Sequence, residues 1–175
     1  MKKTGLIILV IFLSACQHKP VKTKADFFEN LSSLCGQVFT GHSTFPDDPN
    51  HDFAGKLLVA NFSECSDKEL RVKFVVGEDH SRTWVITQSD QGMLLKHDHR
   101  HEDGTPDEVT NYGGWANDAG NQWQQYFAAD QETADLIPAA ATNVWMLAYD
   151  SQTQVLTYDL KRHDLPRYQA QLKPK

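Results

Sequence analysis

From residue 37 onward, apolar side chains recur at every second position in short runs, and turn-forming clusters interrupt them about every ten residues. The clearest run sets Leu70, Val72, Phe74 and Val76 against Arg71 and Lys73, a strand with one face in a core and one partly wet. The pattern predicts strands over 37–45, 56–63, 70–76, 83–88, 93–101, 108–113, 122–128, 143–149, 154–161 and 167–172. Pro46-Asp47-Asp48-Pro49-Asn50, Ser89-Asp90-Gln91-Gly92, Asp103-Gly104 and Asp150-Ser151-Gln152 supply turn chemistry between the runs. Gly113-Gly114 reads as a break after the sixth strand.

Helical periodicity is brief. Asp26 followed by Glu29 has the form of a capping box, and Phe27, Leu31 and Leu34 fall at helical spacing before Gly36, which predicts a helix over 26–35. A second short helix is expected over 130–137, stopped near Pro138. The lack of long crossover helices argues against a parallel sheet, and the strands are expected to form an antiparallel meander. So many sequential strands must close or expose edges, so the expected fold is mainly β, an up-and-down meander closing into a small lipocalin-like barrel behind one short N-terminal helix. A two-sheet sandwich is the alternative.

The chain begins differently. Lys2 and Lys3 precede an apolar run from Leu6 to Leu13, shorter than the roughly 20 residues of a membrane-crossing helix. The run ends in Leu13-Ser14-Ala15-Cys16, which resembles the lipobox of bacterial lipoproteins. That resemblance implies a signal peptide over 1–15, cleavage before Cys16, and lipid attachment to Cys16 through diacylation of its sulfur; the alternative is an ordinary secretory signal that contains a cysteine. Acyl chains contribute about 0.8 kcal/mol per buried CH₂, so two or three anchor a protein durably. Gln17, rather than Asp, follows the cysteine, which by analogy with enteric lipoproteins favours the periplasmic leaflet of the outer membrane. Residues 16–24 read as a lipidated polar tether, and 25–175 as a single β-rich domain.

Composition narrows the class further. With 40% hydrophobic and 10% aromatic residues, the chain is too apolar for disorder. Losing Lys2 and Lys3 with the leader takes the net charge from −6 to −8, and no basic stripe offers a site for nucleic acid. Once lipid occupies Cys16, Cys35 and Cys65 form an even pair in a disulfide-permissive compartment. A structural bridge between them would pin the helix end to the end of the second strand. A redox or metal role lacks the Cys-x-x-Cys spacing.

The segment Lys96-His97-Asp98-His99-Arg100-His101-Glu102-Asp103-Gly104 is the main candidate for chemistry. On a strand, His97, His99 and His101 share the face of Met93 and Leu95, while Lys96, Asp98 and Arg100 share the other with Leu94. Alternate histidines can supply two ligands to Zn²⁺ or Cu²⁺, and His80 is the partner expected from a neighbouring strand. The competing readings are a structural or ligand-facing polar ladder, or a solvated hairpin with cross-strand ion pairs. If Met93 and Leu95 face inward, the histidines line the barrel mouth.

Weaker signals remain. Asp47, Asp48, Asn50 and Asp52 could offer oxygens to Ca²⁺, but they lack calcium-loop spacing and two prolines explain them as a turn. Trp84, Tyr112, Trp115, Trp123, Tyr126, Trp145, Tyr149 and Tyr158 are either core or a cavity lining. No Gly-x-Ser-x-Gly, His-Glu-x-x-His or phosphate loop is present to mark a hydrolase.

Cys35-Gly36, Gly77-Glu78-Asp79-His80-Ser81-Arg82-Thr83-Trp84, Lys96 to Thr105 and Tyr112-Gly113-Gly114 resemble the blocks of an uncharacterised family of secreted proteobacterial proteins. The resemblance implies a self-contained exported domain and carries no catalytic or binding residue with it. The function expected from the sequence is a non-enzymatic lipoprotein of the outer membrane that binds a small molecule or an envelope partner. A transition-metal-binding lipoprotein and an envelope hydrolase are the alternatives.

Overall fold

The computed structural model describes residues 24–175. The leader, Cys16 and residues 17–23 lie outside the described residues. Within them the order is α1 (Lys24–Ser32), β1 (Val38–Phe45), β2 (Leu58–Cys65), β3 (Glu69–Val76), β4 (Asp79–Ser89), β5 (Gly92–His99), β6 (Tyr112–Ala116), β7 (Gln124–Ala129), α2 (Gln131–Leu136), β8 (Asn143–Asp150), β9 (Val155–Arg162) and β10 (Leu165–Pro174). Each strand pairs antiparallel with the next, and β10 returns to pair with β1, so the meander closes into a barrel. Closure leaves no unpaired edge, the physical reason for a barrel rather than a sandwich.

Alternation fills the interior. Leu70, Val72, Phe74 and Val76 of β3 are buried, as are Trp84 and Ile86 of β4, Met93 and Leu95 of β5, and Leu156 and Tyr158 of β9. Among the described residues the ten strands close on themselves around one shared core, with no strand of the barrel left unpaired.

The sixth strand departs from expectation. It runs over Tyr112–Ala116 rather than 108–113, and Gly113-Gly114 sits inside it. A Cβ on Gly113 would collide with the Leu95 carbonyl, and one on Gly114 with the Ala128 carbonyl. These glycines therefore let three strands approach closely instead of ending one. The fifth strand stops at His99, two residues early, because His101 enters a turn closed by bonds between its backbone and Thr105 and Gly104.

Helix α1 covers one end of the barrel, with Phe27, Phe28 and Leu31 buried in the core together with Leu34 beyond it. Asp26 lies in its first turn rather than at a cap. Asn30 Nδ2 donates to the Gln122 carbonyl at 2.8 Å, and Lys24 Nζ reaches the Ala116 carbonyl and Asp118, both at 2.9 Å. The Cys35–Cys65 disulfide fastens the segment after α1 to the last residue of β2. The β1–β2, β3–β4, β5–β6, β7–β8 and β9–β10 connections gather at the opposite, open end.

Candidate functional site

The inward face grows polar only toward the open end. On β9 the inward series runs Leu156, Tyr158, Leu160, Arg162; on β4, from inside outward, Ile86, Trp84, Arg82; and on β5, Met93, Leu95, His97, His99. Phe74, Trp84 and Tyr158 stack on one another at centroid separations of 4.4 and 4.7 Å, closing off the apolar core. Above this stack lies a cavity of about 400 Å³. Its walls include Tyr112, Trp145, Tyr158 and Tyr168, and the loop carrying His51 and Phe53 folds over it. His51 stacks on Tyr168 at 5.4 Å, Phe53 meets the same ring edge-on at 5.3 Å, and the Arg82 guanidinium sits 5.3 Å from the Phe53 centroid.

His97 is 4% exposed and uses both ring nitrogens. Nδ1 lies 3.1 Å from the Tyr112 carbonyl and Nε2 2.9 Å from the Tyr158 hydroxyl. Burial, with the charge of His99 adding to it, holds the His97 pKa at about 3 against the partial opposition of the Tyr112 carbonyl bond. The ring is therefore neutral near pH 7. A carbonyl can only accept, so Nδ1 carries the proton and Nε2 accepts from Tyr158. Burial, reinforced by the charges of Tyr112 and Tyr168, raises Tyr158 well above the ordinary phenol range. Tyr158 thus remains a phenol with its proton directed to His97, and its side chain lines the cavity.

His99 stands one step nearer the mouth, its Nε2 2.9 Å from the Tyr112 hydroxyl. Burial and then the Arg82 charge lower its pKa, with Asp107, Asp79 and Asp98 opposing. Arg82 is itself neutralised by Asp79, whose pKa falls to about 2 because bonds from Ser81 and Arg82 outweigh the opposing effect of its partial burial. Arg162 differs: its Nε donates to Asn143 Oδ1 at 2.8 Å, and no carboxylate among the described residues salt-bridges it.

The metal set expected from the sequence is not assembled. His97 and His99 point into the barrel, and His97 has no free ring nitrogen, while His80 and His101 line a separate surface depression with Lys56, Glu78 and Arg100. Among the described residues no three His, Cys, Asp or Glu side chains come together to hold a metal. His101 leaves the strand phase because β5 has already ended. In the Asp47–Asp52 loop, Asp48 Oδ1 accepts from the Asn50 amide at 2.9 Å, a local turn contact.

The outer face of β5 does make ion pairs. Lys96 Nζ reaches Asp130 at 2.6 Å and Glu132 at 3.0 Å; the buried Asp98 receives Arg71 at 2.9 Å and Arg100 at 3.0 Å. These contacts fasten β3, the loop after β5 and the start of α2 around the mouth. Of the aromatic candidates, Tyr112, Trp145 and Tyr158 line the cavity, Trp84 lies in the stack beneath it, and Trp123 and Tyr149 flank a depression at the α1 end. Trp115 projects outward, 38% exposed.

Sequence reasoning missed Arg162, Asn143, Tyr168, His51 and Phe53. A usable signal existed for Arg162, a charged residue in phase with the buried Leu156 and Tyr158 at a strand end. No comparable signal marked His51 and Phe53, whose placement depends on how an irregular loop folds back. No protein-family model, curated protein or solved structure matches this chain.

Proposed function

We propose that this chain is an outer-membrane lipoprotein that holds a small organic ligand in the mouth of its barrel and does not transform it. The observation carrying the reading is the cavity of about 400 Å³, walled by aromatic rings and provided with a few convergent polar groups, the usual composition of a ligand site. Its lining contains no serine, threonine or cysteine to act as a nucleophile, and its inner imidazole is committed to holding a phenol. Placement supports the same reading. Lys24, where the described chain starts, lies against Ala116 and Asp118 at the end covered by α1, so a tether running back to Cys16 leaves from the closed end.

Two measurements test this. Residues 17–175, titrated with the neutral fluorophore N-phenyl-1-naphthylamine, should bind it at one saturable site, and Val109→Trp, an exposed lining position, should block it. Absence of saturable binding, or binding indifferent to Val109→Trp, overturns the ligand reading. For the anchor, mass spectrometry of the full chain from its native envelope should find Cys16 acylated, and Cys16→Ala should move the protein from the membrane to the soluble fraction; an unacylated Cys16 refutes the lipoprotein.

A further inference from the structure

The ligand's chemistry can be taken further, on the reading that the mouth is a binding site. We propose that it takes a flat, apolar organic anion, with Arg162 as the receptor for the anionic group and the rings of Tyr112, Trp145, Tyr158 and Tyr168 around the apolar body.

Arginine positions around the mouth differ in a telling way. The inward-facing Arg82 has Asp79 as its counterion, and the outward-facing Arg71 and Arg100 converge on Asp98. Arg162 is half-buried and inward-facing, yet among the described residues its side chain's one hydrogen bond goes from Nε to the neutral Asn143. That bond fixes the plane of the guanidinium and leaves its terminal nitrogens to whatever fills the cavity. Two parallel N–H donors in one plane match a carboxylate or sulfonate.

Asn143 strengthens the match. It is 4% exposed and lines the same cavity; with Oδ1 committed to Arg162, only its Nδ2 donors remain. Arg167, without a partner among the described residues, adds a second positive charge at the rim. The acids that also line the cavity sit on loops: Asp52 is exposed, and Asp107 caps its own turn through the Val109 amide at 3.3 Å. Neither reaches Arg162. The strand-borne, preorganised groups at the outer ends of β8 and β9 are donors, while Trp145 and Tyr158 lie deeper on the same two strands, with Tyr168 on β10 and Tyr112 on β6 completing the aromatic lining.

The probes are 8-anilinonaphthalene-1-sulfonate and its neutral counterpart N-phenyl-1-naphthylamine, titrated calorimetrically into residues 17–175. The sulfonate should bind more tightly by about tenfold or more. Arg162→Gln should abolish the preference for the sulfonate over the neutral probe, and a circular-dichroism melt should show the variant folded. Equal affinity of the two probes for the unaltered protein overturns the anion assignment and leaves the ligand-binding reading standing. So does a preference for the sulfonate that survives Arg162→Gln. Binding of neither probe overturns both. If Arg162→Gln fails to fold, the salt dependence of the unaltered protein decides: added NaCl should weaken the sulfonate and not the neutral probe, and equal insensitivity of both refutes the proposal.

Discussion

Replacing Tyr158 with Phe deletes one oxygen and tests the tautomer assigned to His97. The hydroxyl is 2.9 Å from Nε2, and Nδ1 is occupied by the Tyr112 carbonyl, so the variant leaves Nε2 as a buried acceptor facing a hydrocarbon edge. An orphaned buried acceptor costs about 1–3 kcal/mol. Tyr158 borders the cavity, so water entering from the mouth can recover part of that; His97 is 4% exposed, so the recovery is incomplete, and about 1.5 kcal/mol is expected. Urea unfolding followed by tryptophan fluorescence reads the loss as a lower midpoint at unchanged slope. In a double-mutant cycle with His97→Leu, the Tyr158→Phe penalty should shrink by about 1 kcal/mol, because the unpaired nitrogen is gone. A Tyr158→Phe variant within about 0.5 kcal/mol of the parent, or a cycle without coupling, would refute the assigned hydrogen bond.

Three other outcomes are expected from the packing and burial described above. Replacing Cys35 and Cys65 together by Ser releases a bridge across a sequence separation of 30 and should cost about 3–4 kcal/mol, seen as a lower thermal midpoint equal to that of the reduced parent. Gly114→Ala should cost about 3 kcal/mol or more, since the added methyl meets the Ala128 backbone rather than a side chain that can move; near-parental melting would contradict the close strand approach. His97 has a folded pKa of about 3 against 6.5, so below pH 6.5 the unfolded chain takes up a proton that the folded barrel refuses. The His97 contribution should therefore be fully held above about 6.5 and fall toward about 3 by at most ~1.4 kcal/mol per pH unit, and His97→Gln should remove that share of the slope while leaving the share of His99, whose pKa is also lowered.

Much of the architecture was readable because a strand's period of two leaves its mark at single residues. Leu70 to Val76 alternate in the sequence and all four apolar members are buried. The condition attached to the histidines resolves the same way: Met93 and Leu95 face inward and carry His97 and His99 into the mouth. Legibility failed where tertiary contacts outweigh local preference. Gly113-Gly114 looks like punctuation, yet the crowding of Leu95 and Ala128 demands glycine in mid-strand. His101 continues the alternation on paper, but Asp103 accepts from both the amide and the hydroxyl of Thr105 and draws the segment into a turn. The metal expectation rested on four histidines sharing a region, but both ring nitrogens of His97 are taken by Tyr112 and Tyr158, His99 lines the mouth cavity, and His80 and His101 line a separate depression.

The polarity gradient along the inner wall links stability to function. Packing alone would favour apolar residues at inward positions such as 82 and 162, because desolvating a guanidinium is costly unless it is paired. At position 82 that cost is offset within the chain by Asp79; at position 162 it is offset only in part, by an amide that is itself buried. Closing the other end with α1 and the disulfide, and filling it with Phe39, Phe62 and Leu70, concentrates the core there and lets the mouth carry groups that do not contribute their share to folding. An imperfectly satisfied cation on a rigid strand, facing a cavity of ligand size, is the arrangement expected where a binding partner completes the pairing.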